Sequence, residues 1–179
     1  MGDMIKGKAW KFGDNVDGDS DFFPFKYFMQ QQSGVPTSEL AEHVLENLNP
    51  DFGKKAQKGD FIVAGKNFGC GKAHSGYKEL IFLGIGGVIA DSVAGGFIKG
   101  CVNEAIPVLV SDGIMGKISQ DDKLEVDFKA AIIKNLTTNE TIQAEPAIKP
   151  NHPLYDIFEA GGYVAYLKKK VEESKKKGG

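Results

Sequence analysis

The residues best placed to do chemistry lie in one run, Gly65-Lys66-Asn67-Phe68-Gly69-Cys70-Gly71-Lys72-Ala73-His74-Ser75-Gly76. Glycines let a backbone approach a ligand closely, and the first turn of a helix offers N–H groups with no partner of their own. A glycine-rich turn between a strand and a helix therefore suits a small anionic substrate. Phe61-Ile62-Val63-Ala64, just ahead, predicts a short buried strand, and residues 77–83, just behind, predict a helix.

The elements that position this run follow from pattern. Residues 5–12 predict a strand of imperfect alternation. Asp14, Asp17, Asp19 and Asp21 then crowd one loop. Their spacing is reminiscent of a calcium loop, but the twelfth position, which needs a glutamate, is Phe25 counted from Asp14 and Phe28 counted from Asp17. They read as a polar turn or a loop lining a site. Residues 22–29 are apolar and aromatic, with a polar tip at 30–34. A helix is expected over 38–47 with Thr37 as its N-cap and His43 in solvent. Past the glycine run, the strand at 87–90, the helix at 93–103 and the strand at 106–110 alternate as in a parallel sheet covered by helices. Short alternating strands at 123–128, 131–134 and 141–144 predict an antiparallel portion. Helices near 153–160 and 163–173 end the chain, with 174–179 a frayed lysine-rich tail.

Composition narrows the function. A chain of 179 residues, 41% hydrophobic and 26% charged, fits one globular domain. A net charge of −2 and scattered lysines give no nucleic-acid footprint. No apolar run approaches the roughly 20 residues of a membrane span, and the start lacks the apolar core of a signal peptide. A cytoplasmic protein is expected, with Cys70 and Cys101 as thiols too few for a disulfide framework or a cysteine metal site. All 22 basic residues are lysine. Any anion the chain binds is held without arginine's two-pronged fork, whether through a lysine-biased genome or a functional cause.

Gly59-Asp60-Phe61-Ile62-Val63-Ala64 followed by Gly65-Lys66-Asn67-Phe68-Gly69-Cys70-Gly71 resembles the signature of the small subunit of 3-isopropylmalate dehydratase and homoaconitase, which also occurs in the mobile swivel domain of aconitases. The likeness runs along nearly the whole chain, through residues 8–17, Pro50-Asp51-Phe52, Gly87-Val88-Ile89-Ala90, Asn135-Leu136-Thr137-Thr138 and Glu159-Ala160-Gly161-Gly162. The resemblance implies an α/β fold, a β/β/α swivel domain over 1–173 with a mixed parallel and antiparallel sheet and flanking helices. It implies a partner large subunit that carries a [4Fe–4S] cluster, with no metal ligand in this chain. Cys70 is then a small thiol beneath a turn. The implied reaction removes water from a hydroxycarboxylate, with iron as Lewis acid on the hydroxyl and a base taking a proton from carbon.

In the family the glycine run continues Ser-Ser-Arg-Glu, where the first serine is the base and the second serine and the arginine bind carboxylate. Here Lys72, Ala73, His74 and Ser75 stand at those places, and Lys26 replaces a further family arginine. Three readings remain open. Lys72 is the base, with its pKa lowered from about 10.4; or Lys72 is a cation for the anion while His74, with an ordinary pKa near 6.5, moves the proton; or the chain is a non-catalytic or regulatory paralogue. A stand-alone hydrolase using Lys72, His74 and Ser75 lacks an acidic partner placed by sequence, and Ser75 reads as an N-cap. The expected catalytic residues are Lys72 and His74. Asn67, Gly71, Ala73, Ser75, Lys26, Phe28, Met29 and Gln30 are the expected substrate-binding residues. Phe28 and Met29 favour an alkyl-substituted, malate-like hydroxydicarboxylate.

Overall fold

A computed structural model describes residues 4–177. Eight strands form one sheet: β1 Ile5–Lys11, β2 Phe61–Ala64, β3 Gly87–Ala90, β4 Val108–Val110, β5 Lys123–Asp127, β6 Ile132–Asn135, β7 Glu140–Gln143 and β8 Glu145–Pro146. They lie in the order β7-β6-β5-β1-β2-β3-β4-β8. The pairs β1–β2, β2–β3 and β3–β4 are parallel, whereas β1–β5, β5–β6, β6–β7 and β4–β8 are antiparallel. The mixed sheet expected from the sequence is therefore present, and its two halves differ for a physical reason. Every residue of β2 and β3 is buried, because helices cover both faces of parallel strands and alternation is lost. In β5 only Leu124 and Val126 are buried, as on a sheet wet on one side.

The helices are α1 Phe25–Gln32, α2 Thr37–Leu40, α3 Phe52–Lys55, α4 Tyr77–Leu83, α5 Gly95–Asn103, α6 Ile114–Lys117, α7 Tyr155–Glu159 and α8 Tyr163–Lys177. Two cores flank the sheet. Phe61, Val63, Ile89 and Leu109 point into one, while Ile62, Ala64, Val88 and Ala90 point into the other with Phe22, Phe68, Tyr77 and Phe97. That second core carries the glycine run. Phe97 meets Phe22 and Phe68 edge to face at 4.9 and 5.0 Å between ring centres. Such pairs add about 0.5–1.5 kcal/mol beyond their buried area.

Four expectations need correction. The apolar stretch and polar tip at 25–32 form a helix, α1, because Pro24 suits a helix start and glutamine is a good helix former. The helix expected over 38–47 stops after α2 and one 3-10 turn at Ala41–His43. Leu45 takes a positive φ of 57°, its side chain is fully buried, and its N–H donates to the Phe22 carbonyl at 2.8 Å. A tertiary bond has replaced the next helical one. Thr37 is the first helical residue rather than the N-cap, which is Pro36. Finally, α8 takes in Ser174 through Lys177, where a frayed tail is expected, leaving 178–179 outside the described residues.

Candidate active site

The glycine run is built against the aspartate loop. Gly69 N–H and Cys70 N–H donate to the Val16 carbonyl at 2.8 and 3.1 Å, and Gly18 N–H donates to the Cys70 carbonyl at 2.8 Å. Side chains fit the same seam. Asp14 Oδ1 accepts from Lys66 N–H at 2.7 Å, and Asn67 Nδ2 donates to Asn15 Oδ1 at 3.0 Å. A Cβ on Gly65 would overlap the Asp14 carboxylate, and one on Gly71, at φ 69°, would overlap that of Asp17. At Gly71 the positive φ itself favours glycine, while at Gly65 a side chain would have to displace the Asp14 carboxylate that caps Lys66 N–H.

Asp17 closes the loop. Its Oδ1 accepts from Asp19 N–H and Ser20 N–H, both at 2.9 Å, and so caps a single π-helical turn, Gly18–Phe22. That turn presents Asp19 to His74. His74 Nδ1 lies 2.9 and 2.8 Å from the two Asp19 oxygens, and His74 N–H donates to Oδ1 at 3.3 Å. Phe25 and Phe28, at the start of α1, flank the imidazole at 5.5 and 5.3 Å. The carboxylate fixes the Nδ1–H tautomer, and the rings fix the plane. Nε2 is left as the acceptor.

His74 and Ala73 form one wall of an open cavity of about 300 Å³, opposite α5. The other expected site residues scatter. Lys72 is exposed, has no hydrogen bond or ion pair among the described residues, and lines no wall of that cavity. Lys26 points away, pairing with Glu46 at 3.3 Å and lying 4.5 Å over the Tyr27 ring. Hydrogen bonds to Tyr27 and Glu46 hold its pKa above the ordinary lysine value. Met29 is 51% exposed. Gln30 lines a separate cavity with Val35, Leu40 and His43.

His43, expected in solvent, stacks on Tyr27 at 4.1 Å and bonds Glu46 at 2.6 Å. Ser75 is not the N-cap of α4. Gly76 is, at φ 98°, while the Ser75 hydroxyl is buried with no partner among the described residues. Cys70 Sγ donates to the Val16 carbonyl at 3.6 Å, and burial, then Asp17, pushes its thiol pKa up. Cys101 is buried and pushed up further. Among the described residues, no three of His, Cys, Asp or Glu gather to hold a metal.

Sequence reasoning missed Asp19 and Phe25. One signal pointed to Asp19, the aspartate crowding beside a run that needed an acidic partner. No local pattern could pair it with a residue 55 positions away.

No protein-family model matches the chain, but relatives do. It is 41% identical to the isopropylmalate/citramalate isomerase small subunit of Methanocaldococcus jannaschii, over 97% of this chain and 99% of the relative. It is 40% identical to 3-isopropylmalate dehydratase small subunit 1 of Thermotoga maritima, over 93% of this chain and 96% of the relative. A crystal structure of 3-isopropylmalate dehydratase from Methanocaldococcus jannaschii superposes with a TM-score of 0.84 at 36% identity, covering 97% of this chain and 99% of that one. With sequence, length and fold in agreement, the chain belongs to the family of 3-isopropylmalate dehydratase small subunits.

Proposed function

We propose that the chain is the small subunit of an aconitase-type hydro-lyase that dehydrates or isomerises an alkyl-substituted hydroxydicarboxylate, with His74 rather than a serine moving the proton. It works with a large subunit, as the relatives' names as small subunits imply. The free thiols fit a reducing compartment, the cytoplasm, and no described helix is long and apolar enough to cross a membrane. The continuous sheet supports one swivel-type domain over 1–173. The [4Fe–4S] group belongs to the large partner subunit, a reading supported by the relatives' names as small subunits of this dehydratase. Bound there, it supplies a Lewis acid for the departing hydroxyl.

The observation that carries the reading is the bond between His74 Nδ1 and Asp19, at 2.8 Å. A general base needs an orienting partner and a free lone pair. His74 has both, and among the described residues Lys72 has no partner to orient it. Nε2 accepts the proton from the carbon next to a carboxylate, and Asp19 stabilises the imidazolium that forms. Phe25 and Phe28 shield the imidazole and offer the substrate's alkyl group an apolar wall. Lys72, exposed beside Ala73, serves as a cation for a carboxylate.

The test is anaerobic reconstitution with the large subunit and a screen of hydroxydicarboxylates for dehydration. His74→Gln is expected to lower turnover about 10²- to 10⁴-fold, whereas Lys72→Ala raises KM and largely keeps turnover. The reverse pattern would make Lys72 the base. A complex with an intact cluster that dehydrates none of the candidates would favour the regulatory paralogue.

A further inference from the structure

The cavity in front of His74 has a second wall that the proton-transfer pair does not use. It is one face of α5, formed by Gly96, Lys99, Gly100 and Asn103, spaced i, i+3, i+4 and i+7 as residues on one side of a helix must be. The opposite face carries the buried Phe97, Cys101 and Val102. Lys99 is exposed and has no hydrogen bond or ion pair among the described residues, although it stands in the wall of a cavity.

The two glycines of this face differ. A Cβ on Gly100 would overlap the Tyr77 ring, so packing of α5 against α4 requires that glycine. A Cβ on Gly96 would meet nothing within 4 Å. Packing therefore gives no reason for Gly96, nor for its neighbour Gly95, in the first turn of α5. Of the two, only Gly96 lines the cavity, and it leaves open space in the wall that Lys99 also forms.

We propose that the α5 face is a carboxylate site, in which Lys99 and Asn103 grip the end of the substrate that His74 does not attack, with Gly96 leaving room for it. Lys99 supplies the charge and Asn103 an amide donor. The chain has no arginine, so two separate donors on one helix face replace the fork that would hold a carboxylate in one residue. Glu104 also borders the cavity. At five residues from Lys99 it lies about 7.5 Å further along the helix axis, and it limits the cavity to an anion seated at the Lys99 end. The identity of the substrate rests on the dehydratase reading; the existence of the anion site does not.

The two are tested separately. The full chain alone is titrated with malonate as the probe, following the Lys99 Cε and His74 ring resonances by NMR. Both are expected to shift together and to saturate. Lys99→Ala should weaken malonate binding about tenfold or more. Gly96→Leu, which fills the open space with a better helix former, should abolish binding while leaving the melting temperature unchanged or higher. Glu104→Gln should tighten binding a few-fold, and Lys134→Ala on β6 should leave it unchanged. In the reconstituted complex, Lys99→Ala should raise KM about 10- to 100-fold with kcat changed only a few-fold. The site is overturned if malonate leaves the Lys99 resonance in place, or if Lys99→Ala and Gly96→Leu bind malonate as the unmodified chain does. Saturable, Lys99-dependent binding in a chain whose complex dehydrates nothing upholds the anion site and removes the dehydratase reading alone.

Discussion

Two halves of one loop are held in opposite ways. From Gly65 to Gly71 the backbone is bonded to residues 13–18 and to Ser92, and the glycines are filled against by Asp14, Asp17 and Phe97. From Lys72 to Ser75 the backbone still packs on Gly18, but fewer main-chain bonds tie it to the aspartate loop. Asp19 holds the His74 ring and its N–H, the Tyr77 hydroxyl donates to the Ala73 carbonyl at 3.4 Å, and Ser75 is buried, but the side chains of Lys72 and His74 are exposed. The first half is a frame whose residues are dictated by packing. The second is a platform that presents two exposed side chains, Lys72 and His74, that packing does not dictate.

The contrast predicts a separation of effects. Gly69→Ala places a Cβ on the Phe97 ring at a φ of 72°, and should cost about 3 kcal/mol or more, read as a lower midpoint in urea unfolding. A cost below about 1 kcal/mol would show that the frame yields. Asp19→Asn keeps the size of the side chain but removes the charge that stabilises the imidazolium. It should lower turnover about 10- to 100-fold, because the imidazolium that forms on proton transfer loses its counter-charge. Unfolding should change by less than about 0.5 kcal/mol. Asp17→Ala removes the cap on two N–H groups and should cost about 1 kcal/mol.

The smallest effects concern titration. Burial and the Asp17 charge both hold the Cys70 thiol above its ordinary pKa. Alkylation of Cys70 by iodoacetamide near neutral pH should thus be slower than that of an open thiol, and Asp17→Asn should speed it a few-fold. At Glu46, burial opposes the charge, but hydrogen bonds from Tyr27, His43 and Lys26 outweigh it and hold the carboxyl below its ordinary value of 4.5. A lowered carboxyl pKa stabilises the fold above the unfolded value and loses that contribution as pH falls through the folded one. The stability gap between the unmodified chain and Glu46→Gln should therefore shrink below about pH 4.5. A gap independent of pH would show that Glu46 acts by shape alone.

Much of the fold was legible because it is local. Phe61–Ala64 and Gly87–Ala90 are unbroken apolar runs, and burial on both faces leaves no other pattern for a central parallel strand. Tyr77–Leu83 ends at Gly84, at φ 74°, as a glycine stop requires. The short helices at Phe52–Lys55 and Ile114–Lys117 were not legible, since four residues carry too little periodicity to distinguish a helix from a turn.

By itself the sequence determined the frame: a strand, a glycine run and a helix in fixed order, whose backbone needs follow from the residues that form them. It also fixed which side chains were available at the platform, Lys72 and His74 among them. Tertiary structure alone decided which of those acquired partners. Asp19 reaches His74, Glu46 draws Lys26 away, and α5 brings Lys99 across from the imidazole. Each pairing joins separate elements whose approach depends on how the aromatic core packs, and packing is a property of the whole chain rather than of any stretch within it.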